Sequence, residues 1–385
     1  MLTRARPLPS LALLLAAATA IALSLLLPRP AAAIVGADPD PGAGACETNG
    51  RVYAVAYLGD TLYLGGSFTS VEGEPRNRLA ACDATDGTVL PWNPNASAVV
   101  RALKVSPAGT RVYVGGDFLS VGGATRYRVA ALNTTSGAAL PWSPYVNDSV
   151  KAVTTSNSGA TVYVGGDFHS AAGAGRRHLA AFNATSGAIS KTFKPTLSNG
   201  AGNFATVLAM DVSPDGDTLY FAGDFALVNG TSRRNAAAVS TGIATLRAWS
   251  PASTADIVGD VVLSSSGRTV FVGGRSAGGY VQAYGPTAGG APVWSVATNG
   301  DVEALVIVST TLYVGGHFTT VGASDRGHLA ALSASGGLLD WNPDANGVFG
   351  AFGAAIASGR VAFGGEFTEV SGDAHQGVVQ FTGAA

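Results

Sequence analysis

The sequence predicts an all-β fold: a single seven-bladed β-propeller with four-stranded antiparallel blades, following an N-terminal signal peptide. Three observations carry this expectation. A unit of about 50 residues marked by a glycine doublet recurs seven times. Each unit reads as short β-branched and aromatic runs separated by turns. The first 33 residues have the layout of a secretion signal.

The doublets are Gly65-Gly66, Gly115-Gly116, Gly165-Gly166, Ala222-Gly223, Gly273-Gly274, Gly315-Gly316 and Gly364-Gly365, with steps of 50, 50, 57, 51, 42 and 49 residues. Self-similarity at a fixed period marks a repeat architecture, and the units fill residues 51–385, leaving no room for a second domain. In the second unit an apolar run, Val99 to Val105, precedes the turn Ser106-Pro107-Ala108-Gly109, and Val112-Tyr113-Val114 leads into the doublet. Those two runs predict a hairpin. After a Gly-rich loop come a third run, Val129-Ala130-Ala131-Leu132, and a short fourth run ending in Trp142. Four strands per unit, radially repeated, leave only short sheet edges, which is the propeller solution to the edge problem. No segment shows a sustained helical period.

From the second doublet residue to the third run is 13 residues in six units but 7 in the fifth, at Val281. The closing aromatic follows at 26, 26, 27, 26, 20 and 25 residues in the first six units. The fifth unit therefore lacks about six residues in one loop. The seventh unit ends at Phe381-Thr382-Gly383 after its third run. Residues from about Ile34 to Cys46, within an N-terminal segment 34–50, are expected to supply the missing outer strand; otherwise the last blade has three strands.

A chain that is 47% hydrophobic and 12% charged is too apolar for disorder. A net charge of −2 without a basic block argues against nucleic-acid binding. Residues 1–33 carry Arg4 and Arg6, an apolar run from Leu11 to Leu27, Pro28, and Ala31-Ala32-Ala33, which predicts cleavage near Ala33 and a secreted product. An uncut anchor is the rival reading, but Pro28, Pro30 and the A-x-A site favour cleavage. After cleavage no membrane contact is expected, and the protein is expected to be a monomer. Cys46 and Cys82 would then meet oxidising conditions, where a disulfide closing a loop of about 36 residues can form. Two unrelated thiols, one of them buried, are the alternative.

The pattern V-Y-V-G-G-D-F-x-S-V-G-G-x-x-R-x-R-x-A-A-x-N-x-T-S-G-x-x-x-P-W-x-P, with doublet, arginine, Ala-Ala and tryptophan in register over nearly the whole mature chain, resembles the delta-sixty repeat propellers of secreted actinobacterial proteins. That family mostly lacks an assigned activity. The segments from Ala81 to Trp92 and from Ala131 to Trp142 are also similar to the tryptophan-docking motif of quinoprotein dehydrogenases. There the tryptophan ties neighbouring blades together. Adjacent cysteines of the kind those enzymes keep beside the quinone are missing here, so the resemblance implies no cofactor.

Tryptophans that recur with the repeat read as packing between blades. The doublets read as places where a neighbouring strand passes close or φ is positive. No helix follows them, so they are not phosphate cradles. Just after the doublet stand Asp117, Asp167, Asp224 and Glu366, and across the loop stand Arg126, Arg176, Arg233 and His375. These are expected to form structural ion pairs, Asp117 with Arg126, Asp167 with Arg176, Asp224 with Arg233, and Glu366 with His375. The fifth unit departs, with Arg275 in place of the acid, Gly278 in place of the arginine, and Asp260 where other first strands carry Ala or Gly. Either Asp260 pairs with Arg275 or both face a cavity opened by the short loop. The second alternative defines a candidate ligand site, a polar groove bordered by Asp260, Arg275, Tyr280 and His317. The histidines show no metal-ligand spacing, so no metal is expected. No catalytic residue is assigned, because no nucleophile motif is present and the carboxylate inventory is thin.

These readings favour a non-catalytic secreted scaffold that binds a protein or glycan through its loop-rich face. A secreted glycan hydrolase or lyase is the alternative, and a structural cell-surface protein the second alternative.

Overall fold

The computed structural model describes residues 35–40, 46–200, 204–252, 257–275, 278–287, 289–357 and 359–383. The segment 1–33, expected to be a signal peptide, lies outside them. All described residues fall in the unit Ile34–Ala385.

Each repeat unit folds as one antiparallel sheet. In the first, Val52–Leu58, Thr61–Gly66 and Leu79–Asp83 form a three-stranded ladder, and the same arrangement recurs in seven sheets among the described residues. The first strand of each sheet packs against the first strands of the sheets before and after it, and Ala351–Ala357 packs back against Val52–Leu58. The chain is thus an all-β ring of sheets, a propeller.

The expectation of four paired strands per unit needs correction. Among the described residues only the fifth sheet pairs a regular fourth strand, Trp294–Ala297, along Tyr280–Tyr284. In five others the fourth run touches the ladder by single bridges such as Cys82↔Val89 and Leu132↔Ala139. Proline explains the difference. The motif P-W-x-P puts Pro91 and Pro94, or Pro141 and Pro144, around the tryptophan, and proline has no N–H to donate. In the fifth unit only Pro292 precedes Trp294, and Ser295-Val296-Ala297 continue without proline.

Along the seventh sheet the N-terminal segment lies beside the last strand, Val378–Thr382. Gly36 N donates to Thr382 O at 2.8 Å and Asp40 N to Gln380 O at 3.0 Å. Trp341 Nε1 donates to Gly36 O at 2.8 Å, and Val35 N donates to the Tyr313 hydroxyl at 3.0 Å. The Cys46–Cys82 disulfide ties the end of this segment to the first sheet.

Two kinds of contact hold neighbouring sheets together. A β-carbon added at Gly65 would sit 2.8 Å from Val100 Cγ1 of the next sheet, at Gly165 2.6 Å from Val207 Cγ1, and at Gly364 2.5 Å from Val52 Cγ1. The second glycine of six doublets packs against the backbone at the start of its own sheet's first strand, as at Gly66, where a β-carbon would collide with the Arg51 carbonyl; at Gly274 the Tyr280 ring takes that place. Close approach, not positive φ, is therefore what the doublets serve. At the rim, Trp92 Nε1 donates to Asn133 O and Trp142 Nε1 to Asn183 O, each at 2.9 Å, and Trp294 Nε1 to Ala334 O at 3.0 Å. Trp249, which faces the irregular fifth sheet, finds no acceptor among the described residues.

Replacing Trp142 by Phe removes one inter-sheet hydrogen bond and is expected to cost about 1 kcal/mol, whereas Trp142→Ala is expected to cost about 3–5 kcal/mol. Urea midpoints of the two variants test this, and equal midpoints for Trp142→Ala and the parent would remove the seam from the account. Cys46→Ser is expected to lower stability by about 2–5 kcal/mol under oxidising conditions, with no difference from the parent once the parent is reduced.

Candidate functional site

In a sheet of four antiparallel runs, the connections after the second and fourth runs emerge on the same side. The Gly-rich loops and the links between sheets therefore form one loop-bearing face. Backbone bonds join them into a belt: Ala96 N to Asn77 O, Ala172 N to Tyr145 O, and Asn346 N to Glu369 O.

At the centre the first strands line a tunnel of about 450 Å³. Ala54, Ala102, Ala152, Ala209, Ala304 and Gly353 occupy equivalent register positions along it, with Asp260 as the seventh. Asp211, Asp260 and Glu303, from three consecutive sheets, give the tunnel an acidic stretch. Where the ring closes, Tyr53 and Phe352 pack with centroids 5.1 Å apart.

Each aspartate bridges two sheets. Asp211 accepts from Val212 N and, in the next sheet, Leu263 N, both at 2.9 Å. Asp260 accepts from Val261 N at 2.8 Å and Leu305 N at 2.7 Å. The inner strands are sheet edges, so their tunnel-facing N–H groups lack ladder partners and the carboxylates supply them. Burial raises the carboxyl of Asp260 to about 7, only partly offset by those two N–H groups. Burial likewise raises Glu303 to about 7 against the opposing charge of Arg275, and pushes Asp211 upward.

The structure does not bring the four candidate residues into one groove. Arg275 pairs with Glu303 of the next sheet at 2.8 Å rather than with Asp260. It stands opposite Ile257 at the start of its inner strand, and Asp260 lies three residues farther on, roughly 10 Å along the strand. Tyr280 is buried within the fifth sheet, its ring against Gly274. His317 is exposed on the loop-bearing face, near-parallel to His328 at 6.3 Å and 5.5 Å from the Phe349 ring. It borders a separate groove of about 480 Å³ with Asn299, Asp301, Thr319 and Val348. Among the described residues the short fifth loop shows no two-stranded hairpin like those of its neighbours, Leu227–Val228 with Thr231–Ser232 and Thr320–Val321 with Ser324–Asp325; residues 276–277 lie outside the described ones.

The expected loop ion pairs are likewise replaced. Asp117 pairs with Arg101 at 2.7 Å, Asp167 with Lys151 at 2.9 Å, and Glu366 with Arg51 at 2.5 Å across the ring closure. Asp224 accepts from Asn199 Nδ2 at 2.8 Å. Strand pairing explains the exchange. Hairpin register sets Val100 opposite Gly116, so Arg101 and Asp117 stand side by side at the inner rim. At Asp117 burial opposes ionisation, but hydrogen bonds from Arg101 and Ser149 hold the carboxyl below the ordinary range. The loop arginines cap the fourth run instead. Arg126, Arg233 and Arg326 donate to the carbonyls of Leu140, Arg247 and Leu339 at 2.7, 3.1 and 3.1 Å. The recurrence of Arg101 and Lys151 16 residues before Asp117 and Asp167 was the available sequence signal.

A bound quinone does not fit this ring. Both cysteines are spent in the Cys46–Cys82 bridge, and the tunnel presents carboxyls to a cofactor that itself carries carboxylates.

Asp260→Asn keeps an acceptor for Leu305 N and removes the titrating carboxyl. Because the folded-state value lies above that of a free aspartate, the native protein binds the extra proton between about pH 4 and 7. The parent's stability contribution from this group is full below that window and lost as pH rises through it. The stability of Asp260→Asn relative to the parent is therefore expected to increase from pH 4 to pH 8; a constant difference in denaturation midpoint would overturn the assignment.

No curated protein matches the chain in sequence. Among solved structures, the computationally designed Ika8 protein matches with TM-score 0.54 and 12% identity, over 89% of this chain and 100% of that one. The Cps50 (Swd1) β-propeller domain of Myceliophteria thermophila matches with TM-score 0.55 and 10% identity, over 88% of this chain and 97% of that one. At such identities these likenesses show the fold alone. The family model described as outer membrane protein assembly factor BamB matches residues 45–242, just over half of the chain, and the chain accordingly belongs to this family of BamB-like propellers.

Proposed function

We propose that the protein is a secreted, non-catalytic seven-bladed propeller, processed near Ala33, that binds a protein or glycan through its loop-bearing face. The observation that carries this reading is where large apolar side chains remain exposed. Of the nine among the described residues, six, Leu119, Tyr127, Tyr145, Phe204, Val348 and Phe349, lie in loops or links of that one face, and Ile243, Val293 and Ile356 lie elsewhere. Clustered exposed apolar side chains rimmed by polar groups mark interaction surfaces. Membership of the BamB-like family supports a binding role without specifying the ligand. Expressed with residues 1–33, the chain should be recovered outside the cell beginning at Ile34. In a screen of glycans and cell-surface proteins, Tyr145→Ala and Phe349→Ala should weaken whatever binds by about tenfold each, while Ile243→Ala, in a turn outside that face, should not.

A second reading, a glycan hydrolase or lyase working in the tunnel, has one specific observation behind it: Asp260 and Glu303 share the cavity and both sit near 7, a range suited to proton transfer. Against it, both Asp260 oxygens already accept backbone N–H groups and Glu303 holds Arg275. Release of reducing ends or unsaturated sugars from a polysaccharide panel, abolished by Glu303→Gln, would establish that reading over the binding one.

A further inference from the structure

Charge is divided unevenly around the loop-bearing face. Over the second, third and fourth sheets the loops and links carry Arg126, Arg128, Arg176, Arg177, Lys194, Arg233 and Arg234 against Asp117, Asp148, Asp167 and Asp224. Over the sixth, seventh and first they carry Asp325, Asp344, Glu366, Glu369, Asp373, Glu72 and Glu74 against Arg326, Arg76 and Arg78. Among the described residues none of the loop and link cations over the second, third and fourth sheets forms an ion pair with a carboxylate; Arg126, Arg128, Arg176 and Arg233 donate to backbone carbonyls, which leaves Arg177, Lys194 and Arg234 to face a ligand. Arg177, Lys194 and Arg234 are exposed. The protein as a whole is slightly acidic, with net charge −2, so this basic sector is a local feature and not a reflection of overall composition.

Aromatic side chains accompany the cations. Tyr127 and Tyr145, 41% and 46% exposed, meet edge to face with centroids 5.2 Å apart. The elements are joined in sequence by contacts: Tyr145 O accepts from Ala172 N in the loop that carries Arg176 and Arg177, and Asn229 N, in the loop of Arg233 and Arg234, donates to Thr196 O, two residues beyond Lys194. Tyr127 and Arg177 and Arg234 hold equivalent positions in three successive repeats, each one residue before the residue that precedes the third strand. The result is a strip across three sheets, with a pair of exposed rings at one end and the exposed cations Arg177, Lys194 and Arg234 beyond it.

We propose that this strip binds a linear glycan bearing repeated anionic groups. The inference rests on the loop-face reading above and specifies its ligand. Guanidinium groups match carboxylate and phosphate geometry through paired N–H donors. Tyrosine offers a rigid apolar ring with a polar tip, suited to the C–H face of a pyranose. A strip spread over three sheets favours a polymer, whose successive charges each add a contact, over a single small anion. The opposite acidic sector would repel such a chain and confine it to the basic side. Carboxylates of uronic acids and sugar phosphates supply the same chemistry, and the test separates them.

Binding of the mature chain to polygalacturonate, phosphomannan and dextran is measured by titration in low and high salt. Expected are affinity for one or both anionic polymers, none for dextran, weakening with added salt, and a loss of about tenfold or more in Arg177→Glu, Arg234→Glu and Tyr127→Ala. Glu369→Gln serves as the control and should bind as the parent does. Equal binding of dextran, or anionic binding that these variants leave unchanged, overturns the inference. The loop-face reading then still stands if Phe349→Ala or Tyr145→Ala reduces binding of another ligand, and falls if neither does. A salt-sensitive dimer of the parent that Arg177→Glu dissolves would also overturn the inference, by assigning the strip to the acidic sector of a second copy. Circular dichroism of each variant verifies that loss of binding is not loss of fold.

Discussion

How closely two neighbouring sheets can approach at the ring's inner edge governs the whole structure. Val100 sits where a β-carbon on Gly65 would stand, Val207 does the same at Gly165, and Val52 at Gly364 carries the contact around to close the ring. Interior packing at near-crystalline density leaves no slack at such a position. The glycine doublet is thus a distance restraint repeated around an axis. Ala222 at the fourth doublet shows that one methyl can be absorbed, while the other positions hold the tighter spacing.

That spacing shapes the tunnel. With the inner strands drawn together, the residues facing the axis must be small, and alanine or glycine fills six of the seven equivalent positions. The exception, Asp260, is tolerated because its carboxyl lands on an otherwise unsatisfied N–H of the next inner strand. Asp211 makes the same kind of link one sheet earlier. The acidic stretch therefore has a structural account as edge-strand capping, which leaves the loop-bearing face as the surface free to meet a ligand. At the rim the tryptophan hydrogen bonds repeat the division of labour: close approach inside, polar stitches outside.

The fifth unit combines several departures that belong together. It has a shortened loop, it replaces an acid with Arg275, and among the described residues it forms the only regular fourth strand and the tryptophan that faces it lacks an acceptor. Proline placement accounts for the fourth strand. Arg275, freed from the usual rim acid, reaches forward to Glu303. The irregularity thus perturbs the seams on both sides of one sheet without opening a groove that gathers Asp260, Tyr280 and His317.

By itself the sequence determined the all-β repeat and the aromatic seam, because each is a periodic signal in which residue type and spacing both follow from local geometry; for the doublets it left close approach or positive φ, and the structure decided for close approach. It also singled out the fifth unit as irregular from a missing stretch of one loop. Only the tertiary structure decided which charges meet. Asp117 and Arg126 face each other across a loop in the sequence, yet strand register sets Arg101 beside the acid and sends Arg126 to a carbonyl. The same holds for Glu366 with Arg51 and Arg275 with Glu303, whose partners lie on other sheets. Long polar side chains choose partners by distance and direction in space, and sequence spacing encodes neither once the chain has turned around a ring.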